Sequence, residues 1–188
     1  MSSRACARCG SRMLLARSDA VYCSTACRVA ALRARRRAAV VPAVMQARRR
    51  FVRVGRTKAP LQVDGRPARS NDPGTWADFA TASTSPAGIG LGFVTGAGIA
   101  CFDFDDCLDA EGKLHPHAVD VVADRLAGCI RLERSMSGRG LHVWFLADEA
   151  PGWRRTIDGQ KVERYAGGQY VALGTAVEWA DLVEAIGV

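Results

Sequence analysis

The chain has 188 residues, 24% charged and 48% hydrophobic, with a formal net charge of +7. That length allows one ordinary domain plus a small module, and no stretch approaches the roughly 18–20 continuous apolar residues of a membrane span. The charge is split: residues 1–58 carry 15 Lys and Arg against one acid, Asp19, whereas residues 59–188 carry 11 against 18. A basic arm on an acidic body predicts a polyanionic partner held by the arm. The N-terminus shows no signal-peptide apolar core, so a cytoplasmic protein is expected. Seven cysteines in a reducing compartment argue against a disulfide framework.

Residues 1–30 read as a zinc module. Cys6 and Cys9 form a C-x2-C pair followed by Gly10, and Cys23 and Cys27 form a C-x3-C pair after a thirteen-residue spacer. The first pair suits a tight turn and the second the first turn of a helix. Four thiolates in this arrangement make a closed tetrahedral zinc site. Thirty residues bury too little surface to fold alone, so metal binding would supply the folding energy. The segment resembles treble-clef-like zinc knuckles.

Residues 31–57 read as a basic helical linker. Arginine clusters at Arg35, Arg36, Arg37 and at Arg48, Arg49, Arg50 are spaced among alanines. These predict a helix opened at Cys27 and broken or kinked at Pro42. Such clusters neutralise DNA phosphates without reading sequence; a solvated linker with no partner is the alternative.

The body starts near Lys58. Asp64-Gly65 signals a turn, and Asn71-Asp72-Pro73 reads as the cap and first turn of a helix reaching about Ala82. Gly88–Val94 and Ile99–Asp105 are β-rich runs separated by T-G-A-G, which predicts a hairpin. The second run ends in D-F-D-D. Alternation puts Asp103 and Asp105 on one face of the strand. Two adjacent carboxylates repel and are costly to desolvate, and a hard divalent ion, Mg²⁺ or Mn²⁺, relieves both costs. The competing reading is a strand running into a solvated acidic turn.

A helix is predicted from His115 to Ala127, with His115 and His117 as surface or capping residues, then a strand from Cys129 to Arg134. The following S-M-S-G-R-G-L-H (135–142) holds two serines and two glycines around Arg139. A turn of that kind can cradle phosphate oxygens with its backbone amides, and His142 opens the next strand. Lys161–Tyr165 and Gln169–Gly174 predict a last hairpin carrying Glu163, and Ala176–Ile186 a closing helix.

Taken in order, D-F-D, S-x-S-G-x-G-L-H-V and V-E-R-Y…G-Q-Y-V-A-L-G resemble the archaeo-eukaryotic primase superfamily. The likeness is nearest to the primase–polymerase domains of phages and mobile elements, over about Lys58–Gly174. The resemblance implies an α+β fold with an RRM-like antiparallel sheet and flanking helices over 58–188. It also implies template-directed nucleotidyl transfer, making short primers on single-stranded DNA. Asp103, Asp105 and Glu163 would then hold catalytic Mg²⁺ or Mn²⁺. Ser137, Gly138, Arg139, Gly140 and His142 would contact the nucleoside triphosphate, with Lys58 and Arg164 assisting. The body is shorter than usual and carries no P-loop, which suggests a separate helicase as partner. Two alternatives stand beside this: a replication-initiation or regulatory DNA-binding protein that keeps the fold without turnover, and a different metal enzyme such as a D-x-D glycosyltransferase or a nuclease.

Overall fold

The computed structural model describes residues 5, 6, 9, 11–13, 20–29 and 41–183. The chain divides into two compact units, Met1–Val40 and Val41–Val188. In the first unit Ala5 bridges Arg12, and the Cys6 amide donates to the Ser11 carbonyl at 2.9 Å, closing a turn around the first cysteine pair. Residues 25–29 are helical. Ser24 caps that helix, its Oγ accepting from the Cys27 amide at 3.1 Å. The rest of the expected arm helix, including Arg35, Arg36 and Arg37, lies outside the described residues.

The linker does not extend to residue 57. After Pro42 the chain forms a short helix, α1 (Ala43–Gln46), whose Met45 is fully buried, and then strand β1 (Phe51–Val54) inside the second unit. F-V-R-V is a β-prone run with buried Phe51, Val52 and Val54, and that burial outweighs the basic composition on which the linker reading rested. β2 (Pro60–Leu61) pairs with β1, and the Asp64-Gly65 turn closes as expected through Gln62 and Arg66.

The helix expected from Pro73 is split. A 3-10 turn over Pro73–Thr75, capped by Asp72, stops at Trp76 because Ala77 exchanges backbone hydrogen bonds with Phe51. The chain resumes as α2 (Phe79–Thr84), capped by Asp78. Trp76 is buried, and Phe79 packs edge-on against Phe51.

The remaining elements are β3 (Gly90–Val94), β4 (Ile99–Phe104), α3 (Pro116–Ala123), β5 (Cys129–Arg134), β6 (Leu141–Leu146), β7 (Trp153–Ile157), β8 (Gln160–Tyr165), β9 (Tyr170–Ala172), β10 (Thr175–Ala176) and α4 (Trp179–Leu182). They build two antiparallel sheets, ordered β2-β1-β3-β9 and β10-β5-β6-β4-β8-β7. The fold is α+β, with few helices. Both expected hairpins are overturned by this order. β3 pairs with β1 and β9, while β4 pairs with β6 and β8. The segment between β3 and β4 instead carries the chain from one sheet to the other. Gly96, Ala97 and Gly98 all take positive φ there, and Gly96 and Ile99 exchange backbone hydrogen bonds across the turn. The chain does fold back, but pairing ends at that one bridge and the strands diverge into different sheets. β8 and β9 likewise lie in different sheets.

The inner faces of the two sheets share a core of Phe51, Phe93, Ile99, Cys101 and Trp144, with Phe93 and Trp144 packed edge-to-face. A second core lies between the outer face of the six-stranded sheet and α3 and α4, built on Phe104, Leu141, Val143, Val162, Val122 and Leu182. α3 starts with Pro116 at its first turn and ends earlier than the predicted Ala127. α4 covers four residues of the predicted closing helix; residues 184–188 lie outside the described set. Among the described residues no helix is long and apolar enough to cross a membrane.

Candidate functional site

The four N-terminal cysteines come together. Their sulfur atoms all lie within 4.8 Å of one another, with Cys9 to Cys23 at 3.6 Å and Cys23 to Cys27 at 3.5 Å. A tetrahedral ion with Zn–S bonds of about 2.3 Å spaces its sulfurs about 3.8 Å apart, so the cluster fits zinc. As free thiols these groups compete. Hydrogen bonding to Cys27, Cys9 and Cys6 pushes the Cys23 thiol up to about 12, while Ser11 lowers Cys9. Among the described residues this is the one group of three or more Cys, His, Asp or Glu side chains gathered so closely.

In the body, sheet register lines up five polar side chains. Glu133 on β5 lies opposite His142 on β6, His142 opposite Asp103 on β4, Asp103 opposite Glu163 on β8, and Glu163 opposite Arg154 on β7. Cross-strand partners in an antiparallel sheet share a face, so the row runs along one side of the sheet. It begins buried, at Glu133, and ends at the exposed Arg154, which is ion-paired with Glu163.

Next to the centre of this row is a cavity of about 210 Å³, lined by Lys58, Asp103, Asp105, Ser137 and His142 together with Ser135, Met136, Tyr165 and Tyr170. One wall comes from the six-stranded sheet. The other comes from the β1–β2 turn and β9. Lys58 sits in that turn at φ 64°, a conformation non-glycine residues rarely adopt. Asp105 follows the end of β4, its carbonyl held by the buried Gln160 side chain at 2.7 Å.

Burial pushes the Asp103 carboxyl up to about 6; Asp105 and Glu163 add to this, and His142 and Lys58 oppose it. For His142, burial disfavours the charged ring, but the hydrogen bond and charge of Glu133, with Asp103 and Asp105, raise its pKa overall. Glu133 moves down, because His142 and Arg131 outweigh the effect of its burial.

These directions set a pH profile. Raised above its ordinary 6.5, His142 stabilises the fold fully below that value, and the contribution is lost as pH climbs through the folded pKa. Asp103, raised from 3.8 to about 6, costs stability as pH rises across that interval. Glu133, lowered from 4.5, withdraws its contribution only as pH falls below that range. Thermal stability of the body is therefore expected to peak in mildly acidic solution and decline towards pH 8. In His142→Gln the decline above pH 6 should flatten. Melting curves across pH check both.

Several expected site residues lie elsewhere. Arg164 sits opposite Phe102 and Trp153, one residue out of phase with Glu163, so it points to the other face of the sheet, with its guanidinium 5.8 Å over Phe145. Strand alternation makes Glu163 and Arg164 exclusive choices for one face. Glu163 is beside Asp103 but turned to Arg154, and the three carboxylates do not reach mutual ligating distance. Arg139 is exposed and paired with Asp106 at 2.8 Å. Gly138 and Gly140 do not line the cavity. Gly138 supplies a positive φ of 80°, and a Cβ on Gly140 would come within 2.6 Å of the Phe104 carbonyl, so both serve the turn's shape. Arg48, Arg49 and Arg50 donate to the carbonyls of Ala97, Pro73, and Val94 and Thr95, and Arg50 also lies over Trp76. Residues that sequence reasoning passed over include Glu133, Gln160, Tyr165 and Tyr170. A buried Glu or Gln on an alternating strand gives no local signal.

No protein-family model matches the sequence, and no match is found among curated proteins.

Proposed function

We propose that the body is a primase–polymerase-type nucleotidyltransferase that makes short primers on single-stranded DNA from nucleoside triphosphates, in phage or mobile-element replication with a separate helicase. One observation carries this reading. Asp103 and Asp105, Ser137 with His142, and Lys58 come from three distant parts of the sequence and line one cavity. In this reading the antiparallel sheets with α3 and α4 make up the RRM-like core.

A buried carboxylate raised to about 6 beside a second carboxylate is short of positive charge, and the two offer hard oxygen donors, so the pair suits Mg²⁺ or Mn²⁺. Asp103 and Asp105 would hold the ion, which when bound activates the attacking hydroxyl and neutralises the pyrophosphate leaving group. Glu163 would join only by leaving Arg154. The protein's own side chains do the positioning. Lys58 sets an ammonium against phosphate oxygens, Ser137 donates its hydroxyl, and His142 donates from Nε2 at the wall when its ring is doubly protonated. Fixed donors in a partly dry cavity stabilise developing charge without reorganising. The zinc unit and basic residues near it would hold the template strand through its phosphates.

The test is primer synthesis on single-stranded DNA with labelled NTPs or dNTPs and Mg²⁺ or Mn²⁺. Wild type is expected to give short products and the Asp103→Ala/Asp105→Ala double variant none, with salt-sensitive DNA binding kept by both. Absence of product from wild type, with binding retained, would favour a replication-initiation or regulatory DNA-binding protein of the same fold.

A further inference from the structure

We propose that Glu133 is a positioning residue that locks His142 with its Nδ1 proton directed into the protein and its Nε2 directed at the cavity. Glu133 is fully buried and spends both carboxylate oxygens on donors. Oε2 accepts from Nε of Arg131 at 2.5 Å, and Oε1 accepts from Nε1 of Trp144 at 3.0 Å. Guanidinium and indole groups can only donate. A carboxyl group held by both has no oxygen left to carry a proton comfortably, so Glu133 is an acceptor throughout. Oε1 is also 2.8 Å from Nδ1 of His142, and with an acceptor on the other side that nitrogen must supply the hydrogen.

The other ring nitrogen is then fixed by geometry. Nε2 lies 3.6 Å from Oδ1 of Asp103, on the side where both residues line the cavity. Register supports the orientation, because Glu133, His142 and Asp103 are direct cross-strand neighbours in sequence β5, β6, β4. An imidazole held at one nitrogen by a buried carboxylate presents the other nitrogen in one tautomer and one ring pose. Arg131 extends the anchor, its Nη2 donating to the Gly174 carbonyl at 3.1 Å.

The geometric claim stands by itself; its consequence for nucleotide binding rests on the function proposed above. The experiment separates them. Full-length chain labelled with ¹⁵N-histidine is compared with His142→Gln, which assigns the His142 signals among the three histidines. In the wild type Nδ1 is expected to hold its proton in slow exchange, so that the neutral ring is the Nδ1–H form. A neutral His142 protonated on Nε2 would overturn the proposal, whether or not the protein synthesises primers. In Glu133→Gln the Nε2–H form should appear. KM for the nucleotide should rise roughly 10-fold or more, with a smaller change in kcat, because phosphate oxygens need an Nε2–H donor from a ring held in one pose. Without the Glu133 carboxylate the ring loses both that pose and the countercharge of its doubly protonated form. Unchanged tautomer and unchanged KM in that variant would also overturn it. A wild type that shows the Nδ1–H form and yields no primer would keep the positioning role and reject the nucleotidyl-transfer reading.

Discussion

Replacing Cys23 by serine is expected to abolish zinc binding and unfold the N-terminal unit, leaving the body's own melting transition in place. The Cys23 sulfur lies 3.6 and 3.5 Å from those of Cys9 and Cys27, so its loss removes one corner of the tetrahedron. Structural zinc sites in small modules contribute on the order of 10–16 kcal/mol of apparent binding energy at neutral pH, and without metal such modules are unfolded. Among the described residues of the unit only Cys6 is buried. Metal analysis should find about one zinc per wild-type chain and near none in the variant. Zinc that stays at the wild-type level in Cys23→Ser would reject this ligand set.

Glu133→Ala should have the largest effect on the body. It removes the common acceptor of Arg131, His142 and Trp144 and leaves a guanidinium, an indole N–H and an imidazole N–H buried around a void. Removing one partner of a buried ion pair costs about 3–5 kcal/mol, because the remaining charge is stranded. For a unit of this size that lowers the melting temperature by roughly 10 °C. Thermal denaturation measures it directly. A fall of only a degree or two would mean that water or a neighbouring group takes over the acceptor role.

The local signals in the sequence located most strands, the four clustered cysteines and the principal cavity residues, because these depend on short-range pattern. Asp103 and Asp105 share a face by alternation alone, and Ser135–Gly140 declares its turn through glycine and serine content. Sheet partnership was not legible. Gly88–Val94 and Ile99–Asp105 look like the arms of a hairpin, and the tight turn at Gly96–Ile99 does form, yet beyond it the strands take β1, β9, β6 and β8 as partners in place of each other. Arg164 was misjudged because the facing of a strand is known only once one neighbour's face is fixed; with Glu163 beside Asp103, Arg164 must turn away. Arg48, Arg49 and Arg50 showed their charge but not their acceptors, which are carbonyls as distant as Ala97. Glu133 was hidden for a related reason. In C-I-R-L-E-R it resembles any solvated glutamate, and its burial comes from strands that arrive later in the chain.

The chain crosses between the two sheets at Thr95–Gly98 and again at Ala166–Gln169, and these crossings are fastened to each other. The Thr95 amide donates to the Gln169 carbonyl at 2.8 Å, the Gly168 amide to the Thr95 carbonyl at 2.9 Å, and the Thr95 hydroxyl also meets Gln169. Asp103 lies four residues along β4 from Ile99, roughly 13 Å at ordinary strand rise. A third crossing, Leu173–Gly174 between β9 and β10, joins the sheets beside the cavity, where Ala172 and Ser135 line the wall. The two sheets are thus stitched at both ends of that span. A ligand that bridges Lys58 on one sheet to Asp103 and His142 on the other meets a gap whose width the backbone sets.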